Sequence, residues 1–220
     1  MTIELFAHPF SSYSQKAFMA FYEHGIPFTL RELTPADPAT GAEHRALWPV
    51  AKMPVLRDGD TVLVETSIVV EYVDSRRPAG APPLVPADPA GALRVRMLDH
   101  AIDSYVMSPV QKIVGDRLRP TDADRDPFGV AEARAMLDTA YAWLETQLHE
   151  DGWLAGAFSL ADCAAAPSLF YADWVHPIPD AFPKLRAYRA RLLARPSFAR
   201  AVDEARYFRP YFPGGAPDRD

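Results

Sequence analysis

The chain has 220 residues, 49% hydrophobic and 24% charged, with a formal net charge of −6. That length holds one or two domains, each able to bury a core without staples. The acidic balance and the lack of a basic cluster speak against a nucleic-acid partner or an acidic membrane surface.

In chain order, residues 2–7 are short and mostly apolar and predict a buried strand. His8-Pro9-Phe10-Ser11-Ser12 interrupts the pattern. Over 13–24, Ala17, Phe18, Ala20 and Phe21 recur at helical spacing, and Gly25 marks the stop. Residues 28–33 predict a second strand. Residues 34–41, with two prolines, predict a loop, and 42–47 a short helix. Residues 55–57, a turn at Asp58-Gly59-Asp60 and residues 61–64 read as a hairpin. Thr66 is the expected cap of a helix reaching about residue 74. The first strand-helix-strand unit implies a parallel pair with a right-handed crossover, and the hairpin adds an antiparallel edge.

Residues 76–89 contain five prolines and predict an extended linker, beyond which no strand is expected. Residues 90–115 form one long helical stretch, and 118–127 an acidic, proline-bounded loop. The stretch 130–149 is amphipathic, with Ala133, Met136, Leu137, Ala140, Tyr141, Leu144 and Leu148 on one side. Residues 159–171 are nearly all apolar and predict a helix in the middle of a bundle. Helices over 183–193 and 197–206 follow, then a proline- and glycine-rich tail from 208. The expected organisation is an α/β domain over 1–77, a linker over 78–88, an all-helical domain over 89–206 and a tail over 207–220.

Three places invite chemistry. Ser11 lies just before the first helix, where free N–H groups and a partial positive charge stabilise a thiolate. No cysteine stands there, so the thiolate would come from a ligand; equally, Ser11, Ser12 and Ser14 suffice as helix caps. Lys52-Met53-Pro54-Val55 precedes the hairpin, where a cis Met53–Pro54 bond would present the Met53 backbone to a peptide and a trans bond would be mere spacing. Glu65-Thr66 opens a helix, either as an ordinary acidic first turn or as a grip on an amino acid's ammonium and carboxylate.

These segments carry a family resemblance. Ser11-Ser12-Tyr13-Ser14-Gln15-Lys16 resembles the Cys-Pro-Tyr-Cys-x-Lys motif of glutaredoxins with both cysteines replaced by serine. It is similar to the Ser-Ser-x-Ser stretch of serine-type glutathione transferases, the zeta class among them. Lys52-Met53-Pro54-Val55-Leu56 resembles the segment that carries their cis-proline. Glu65-Thr66-Ser67-Ile68-Val69-Val70-Glu71-Tyr72-Val73 is similar to their Glu-Ser-x-Ile-Ile-x-Tyr-Leu segment, with Thr66 in place of serine. Gly156-Ala157-Phe158-Ser159-Leu160-Ala161-Asp162 matches the start of their buried bundle helix, where Ser159 and Asp162 form a capping box with Asp in place of Glu. The resemblance spans residues 2 to about 206.

The resemblance implies a thioredoxin-like α/β domain with a mixed four-stranded sheet, followed by an all-α helical bundle. It implies glutathione as co-substrate, a small electrophile as second substrate, no metal, and a homodimer. Glu65 and Thr66 would hold the γ-glutamyl end of glutathione, the Met53 backbone before Pro54 its cysteinyl unit, and Lys52 its glycine carboxylate. Ser11 would be the catalytic residue, donating a hydrogen bond to the sulfur, with Tyr13 the alternative donor. Phe10, Tyr13, Tyr105, Gln111 and Trp174 are the expected substrate pocket, and Asp99 and Asp103 are expected to reach the glutathione of a partner subunit. Two rival readings share the fold: glutathione-dependent disulfide or peroxide reduction, and a non-catalytic binding protein.

Other chemistries find no support in the chain. Its six histidines lack metal-ligand spacing. Cys163, the single cysteine, excludes an intrachain disulfide and sits on an apolar helix where core packing is expected. There is no Gly-x-Ser-x-Gly elbow and no Gly-rich phosphate loop. Residues 1–6 carry Glu4 and no basic start, and no apolar run approaches the ~18 residues of a span, so a cytoplasmic location without membrane insertion is expected.

Overall fold

The computed structural model describes residues 3–220. Four strands, β1 (Ile3–Ala7), β2 (Phe28–Glu32), β3 (Val55–Asp58) and β4 (Thr61–Leu63), form one mixed sheet in the order β2-β1-β3-β4. β1 and β2 are parallel, while β3 is antiparallel to both of its neighbours. Residue 2, the first expected residue of the opening strand, lies outside the described residues. The β3–β4 turn is the tight pair Gly59-Asp60, and Gly59 takes the left-handed φ of 60° that such a turn demands.

α1 (Ser12–His24) joins β1 to β2 and stops at Gly25, whose φ is 61°. Its burial exceeds one stripe, because it packs on α3 (Thr66–Ser75) and also on α7 (Leu160–Val175) and α9 (Pro196–Ala205) of the helical half. The expected loop over 34–41 is corrected in its second half: α2 runs over Pro38–Leu47. Asp37 accepts the Thr40 N–H at 3.1 Å, and Pro38 fills the first helical position, where its missing N–H costs nothing. α3 is also corrected at its start, because the residue in the cap position is Glu65 and Thr66 already belongs to the helix.

The proline-rich connection is pinned at its centre. The Asp74 carboxylate accepts the N–H groups of Leu84 at 2.9 Å and Val85 at 3.3 Å, and lies 2.9 Å from His24 Nε2. Leu84 is buried, and its carbonyl accepts the Leu160 N–H at 2.9 Å.

The long stretch expected over 90–115 is α4 (Pro89–Ile102), one π turn (Asp103–Met107) and α5 (Ser108–Arg117). In the π turn the Ser108 N–H bonds the carbonyl of Asp103, five residues back. Pro109 then brings no N–H to the Tyr105 carbonyl, so regular α-helical bonding cannot be complete here. α6 (Pro127–Gln147) buries the expected face except for Met136, which is 42% exposed. Every residue of α7 is buried, as a central bundle helix requires. Asp162 reaches back to the Ser159 N–H at 2.9 Å and also accepts the Leu154 N–H at 3.1 Å and the Tyr188 hydroxyl at 2.6 Å. α8 (Pro183–Leu193) and α9 lead into a 3₁₀ turn, Arg206–Tyr211. The following residues fold back: Phe212 is buried, Arg219 pairs with Asp173, and Asp220 pairs with Arg206 and Arg209. Among the described residues no strand follows β4 apart from bridges at Trp153–Gly156 and Ala155–Ala157, and no helix is long and apolar enough to cross a membrane.

Candidate functional site

Ser11 holds the N-terminus of α1. Its backbone is extended, with φ −87° and ψ 125°, its N–H donates to the His8 carbonyl at 3.0 Å, and its Oγ accepts the Ser14 N–H at 3.3 Å. Accepting that bond uses a lone pair and leaves the hydroxyl proton without an acceptor among the described residues. Ser12 and Ser14 do not share the capping role. Ser12 Oγ lies 3.3 Å from Met107 Sδ, and the buried Ser14 Oγ accepts the His8 N–H at 3.3 Å. The capping and functional readings of this stretch therefore meet on one hydroxyl.

Two cavities meet at Ser11. One is a polar cleft of about 870 Å³ between the α/β domain and α4–α5. The other is a smaller, more apolar pocket of about 380 Å³, walled by Phe10, Met107, Val110, Val114, Phe212 and Pro213. Ser11, Lys52 and Gln111 line both.

The expected glutathione residues Lys52, Met53, Pro54, Glu65 and Thr66 all line the polar cleft with Ser11. The Met53–Pro54 bond is cis, as the family segment implies. Glu65 is exposed and stands at φ 67°, ψ 118°, a conformation an L residue rarely adopts, and its side chain makes no capping bond. Such backbone strain costs about 1–3 kcal/mol and clusters where a side chain is aimed at a ligand.

Sequence reasoning missed Lys16 as a structural centre of the site. It is 1% exposed, and its Nζ lies 2.6 Å from Asp99 Oδ1, 2.7 Å from Asp103 Oδ2 and 3.0 Å from Ser67 Oγ. Ser67 also donates to Asp99 Oδ2 at 2.6 Å. One ammonium thus ties α1, α3 and the start of the π turn together under the cleft. Asp99 and Asp103, expected to reach a partner subunit's glutathione, have a partner within the chain. Asp99 is 3% exposed and the Asp103 side chain 21%, both carboxylates are engaged by Lys16, and both residues line the cleft. Burial raises the Asp103 pKa, Asp99 adds to the rise and Lys16 opposes it. The signal available in sequence was a lysine on the inward face of an otherwise apolar helix.

Of the expected substrate pocket, Tyr13 and Gln111 line the cleft and Phe10 lines the apolar pocket. Burial, with Asp103, Glu65 and Asp99 nearby, pushes the Tyr13 phenol well above its ordinary value, so it faces the cleft as a neutral hydroxyl. Two members are corrected. Tyr105, within the π turn, is 52% exposed and lines neither cavity at Ser11. Trp174 is buried against Phe10, Phe170, Tyr171 and Phe212 and serves as core behind the pocket. The pocket walls that were missed, Met107, Val110 and Val114, follow helical spacing on α5 and its preceding turn. Phe212 and Pro213 come from the tail, where nothing local announces them.

Cys163 is fully buried, and burial raises its thiol pKa well above the ordinary value. A thiol–disulfide cycle on protein cysteines therefore has no reactive sulfur in this chain. Among the described residues no cluster of three His, Cys, Asp or Glu side chains is arranged to hold a metal ion.

Comparison with known proteins agrees with this layout. The family models "Glutathione S-transferase, N-terminal domain" and "Glutathione S-transferase, C-terminal domain" match residues 5–83 and 127–191. The chain is 30% identical to a stringent starvation protein A homolog of Pasteurella multocida, covering 90% of this chain and 89% of that protein. It is 25% identical to glutathione S-transferase PARB of Nicotiana tabacum, covering 93% and 99%. Among solved structures, a glutathione S-transferase of Methylobacterium radiotolerans in complex with glutathione sulfonate superposes with a TM-score of 0.77 at 30% identity, covering 92% of this chain and 95% of that one. One from Methylobacillus flagellatus with glutathione bound gives 0.80 at 25% identity, covering 91% and 98%. A thioredoxin-like sheet with its cis-proline, a buried bundle helix with its capping box, and sequence matches over both halves place this chain in the glutathione S-transferase superfamily.

Proposed function

We propose that the chain binds glutathione in the polar cleft and activates its thiolate for attack on a small electrophile held in the apolar pocket. The observation that carries this reading is the position of Ser11, a helix-capping hydroxyl at the junction of a polar and an apolar cavity. Glu65, on its strained backbone, meets the ammonium of the γ-glutamyl unit, and Thr66 at the start of α3 meets its carboxylate. The Met53 backbone pairs with the cysteinyl unit, and Lys52 with the glycine carboxylate. Ser11 donates its free proton to the sulfur, and hydrogen bonding to the charged form lowers the thiol pKa. The α1 N-terminus adds its partial positive charge. Holding thiolate and electrophile side by side supplies much of the acceleration. The glutathione-bound relatives support the ligand, and the absence of a reactive protein thiol favours transfer over a two-cysteine reductase.

The test is the ultraviolet absorbance of bound thiolate followed against pH. A charge-assisted hydrogen bond contributes about 1.5–3 kcal/mol, so Ser11→Ala should raise the bound thiol pKa by roughly one to two units and slow turnover at neutral pH. Losing the cap also costs about 0.5–2 kcal/mol of stability, so unfolding is measured in parallel. If Tyr13→Phe moves the titration and Ser11→Ala does not, the tyrosine is the donor. If glutathione binds but its thiol titrates as in water, the chain is a binding protein and not a transferase.

The same reading includes a homodimer. Leu93 and Met97, one turn apart on α4, are 69% and 47% exposed, and Ile68 on α3 is 49% exposed. The Glu71–Arg96 pair, at 2.7 Å, joins the two helices beside them.

A further inference from the structure

A third cavity, of about 450 Å³, lies between the end of α7, α8 and the tail, and shares no residue with the cleft or the pocket at Ser11. Arg186, Arg189 and Arg219 converge on it, Asp173 and Asp220 are its acids, and Pro177 and Ile178 give it an apolar wall. Arg189 is its fixed element. Its side chain is 13% exposed, and its guanidinium carbon stands 5.9 Å from the centre of the Phe170 ring. Its Nε and Nη2 are both buried without a hydrogen-bond acceptor among the described residues. Nη2 has only an ionic contact, 3.4 Å from Asp173 Oδ2. Asp173 is otherwise occupied, since Oδ1 accepts the Ile178 N–H at 2.9 Å and Oδ2 accepts from Arg219.

Nε–H and Nη2–H are the parallel donors with which a guanidinium grips a carboxylate or phosphate at two points. Leaving both buried without a hydrogen-bond acceptor is costly, and such donors are rare in folded proteins. Burial pulls the Arg189 pKa down despite Asp173, the state that a second negative group beside the guanidinium would relieve. The surrounding charge agrees. Asp220 is taken up by Arg206 and Arg209, and Arg186 pairs with the exposed Asp180. With Asp203 also on Arg206, five arginines thus face four aspartates, a local positive surplus of one on a chain of net charge −6.

We propose that this cavity binds a small organic oxyanion, its carboxylate or phosphate on the Nε–Nη2 edge of Arg189 and its apolar part against Pro177 and Ile178. The probes are phenyl phosphate and benzoate, titrated by calorimetry at constant ionic strength with glutathione saturating. One or both should bind with a dissociation constant on the order of 1 mM, about what two charge-assisted hydrogen bonds provide. Binding by phenyl phosphate alone assigns phosphate, and binding by benzoate alone assigns carboxylate. Arg189→Lys keeps the charge and loses the fork, and should weaken the bound probe roughly 10- to 100-fold while leaving glutathione affinity unchanged. Should that variant fail to fold, the exposed rim variants Arg186→Gln and Arg219→Gln should each weaken binding about threefold or more. No heat from either probe up to about 10 mM, or unchanged binding in Arg189→Lys or in both rim variants, overturns the proposal.

Discussion

Replacing Lys16 by methionine should destabilise the protein in a way that depends on pH. At an effective dielectric near 20, each contact at 2.6–2.7 Å carries a gross attraction of roughly 6 kcal/mol. Desolvation of the ions consumes most of that, and removing one member of a buried ionic group costs about 3–5 kcal/mol because the remaining charges lose their partner. Burial works against the charged Lys16 amine, yet Asp103 and Asp99 outweigh it and raise its pKa, so its stabilisation is complete at neutral pH and lost only as the pH climbs through the raised value. Asp103 is raised already, by burial first and by Asp99, with Lys16 the opposing influence. Without Lys16 it rises further, so the variant's deficit is largest at neutral pH and shrinks as Asp103 takes up a proton on acidification. Urea unfolding midpoints of both proteins at about pH 7.5 and about pH 5 measure this directly. Asp103→Asn placed on Lys16→Met should recover part of the loss at neutral pH. A deficit equal at both pH values or growing toward acid, or no recovery in the double variant, would refute the assignment of Lys16 as the counter-charge of this cluster.

Four further outcomes are expected. Glu65→Ala should weaken glutathione binding roughly 5- to 30-fold, a smaller loss than for a buried carboxylate because Glu65 is exposed, and calorimetry reads it. Glu65→Gly should lose as much affinity yet unfold about 1 kcal/mol later than Glu65→Ala, because glycine relieves the φ of 67°; equal stabilities would remove the strain argument. Cys163 should resist an aromatic disulfide reagent in the native protein and react fully in denaturant, and rapid native labelling would contradict its burial. Leu93→Glu with Met97→Glu should convert the proposed dimer to monomer by light scattering, and a wild-type monomer at micromolar concentration would refute the pairing itself.

Much of the fold was legible in local pattern. Gly25, the Gly59 turn, the apolar run of α7 and the Ser159–Asp162 box each act over one or two turns, and the structure places them as expected. The early start of α2 was legible too, since Asp37-Pro38 is a cap followed by the proline that suits a first turn. The six expected residues of the glutathione site, from Ser11 to Thr66, do converge on one cleft, because each ends or begins an element of the same small sheet domain.

What the sequence by itself determined is therefore the set of elements, their order, and the residues that stop and start them, since these follow from interactions between near neighbours. The tertiary structure alone decided which of three serines caps α1, that Asp99 and Asp103 turn inward to Lys16, that the π turn leaves Tyr105 outside the pocket, and that the tail returns to build its wall. Those outcomes depend on groups 83 and 87 residues apart for the lysine cluster and on helix phase for Tyr105, and neither a single-element period nor a composition carries that information, because burial and charge pairing are settled only when distant segments pack.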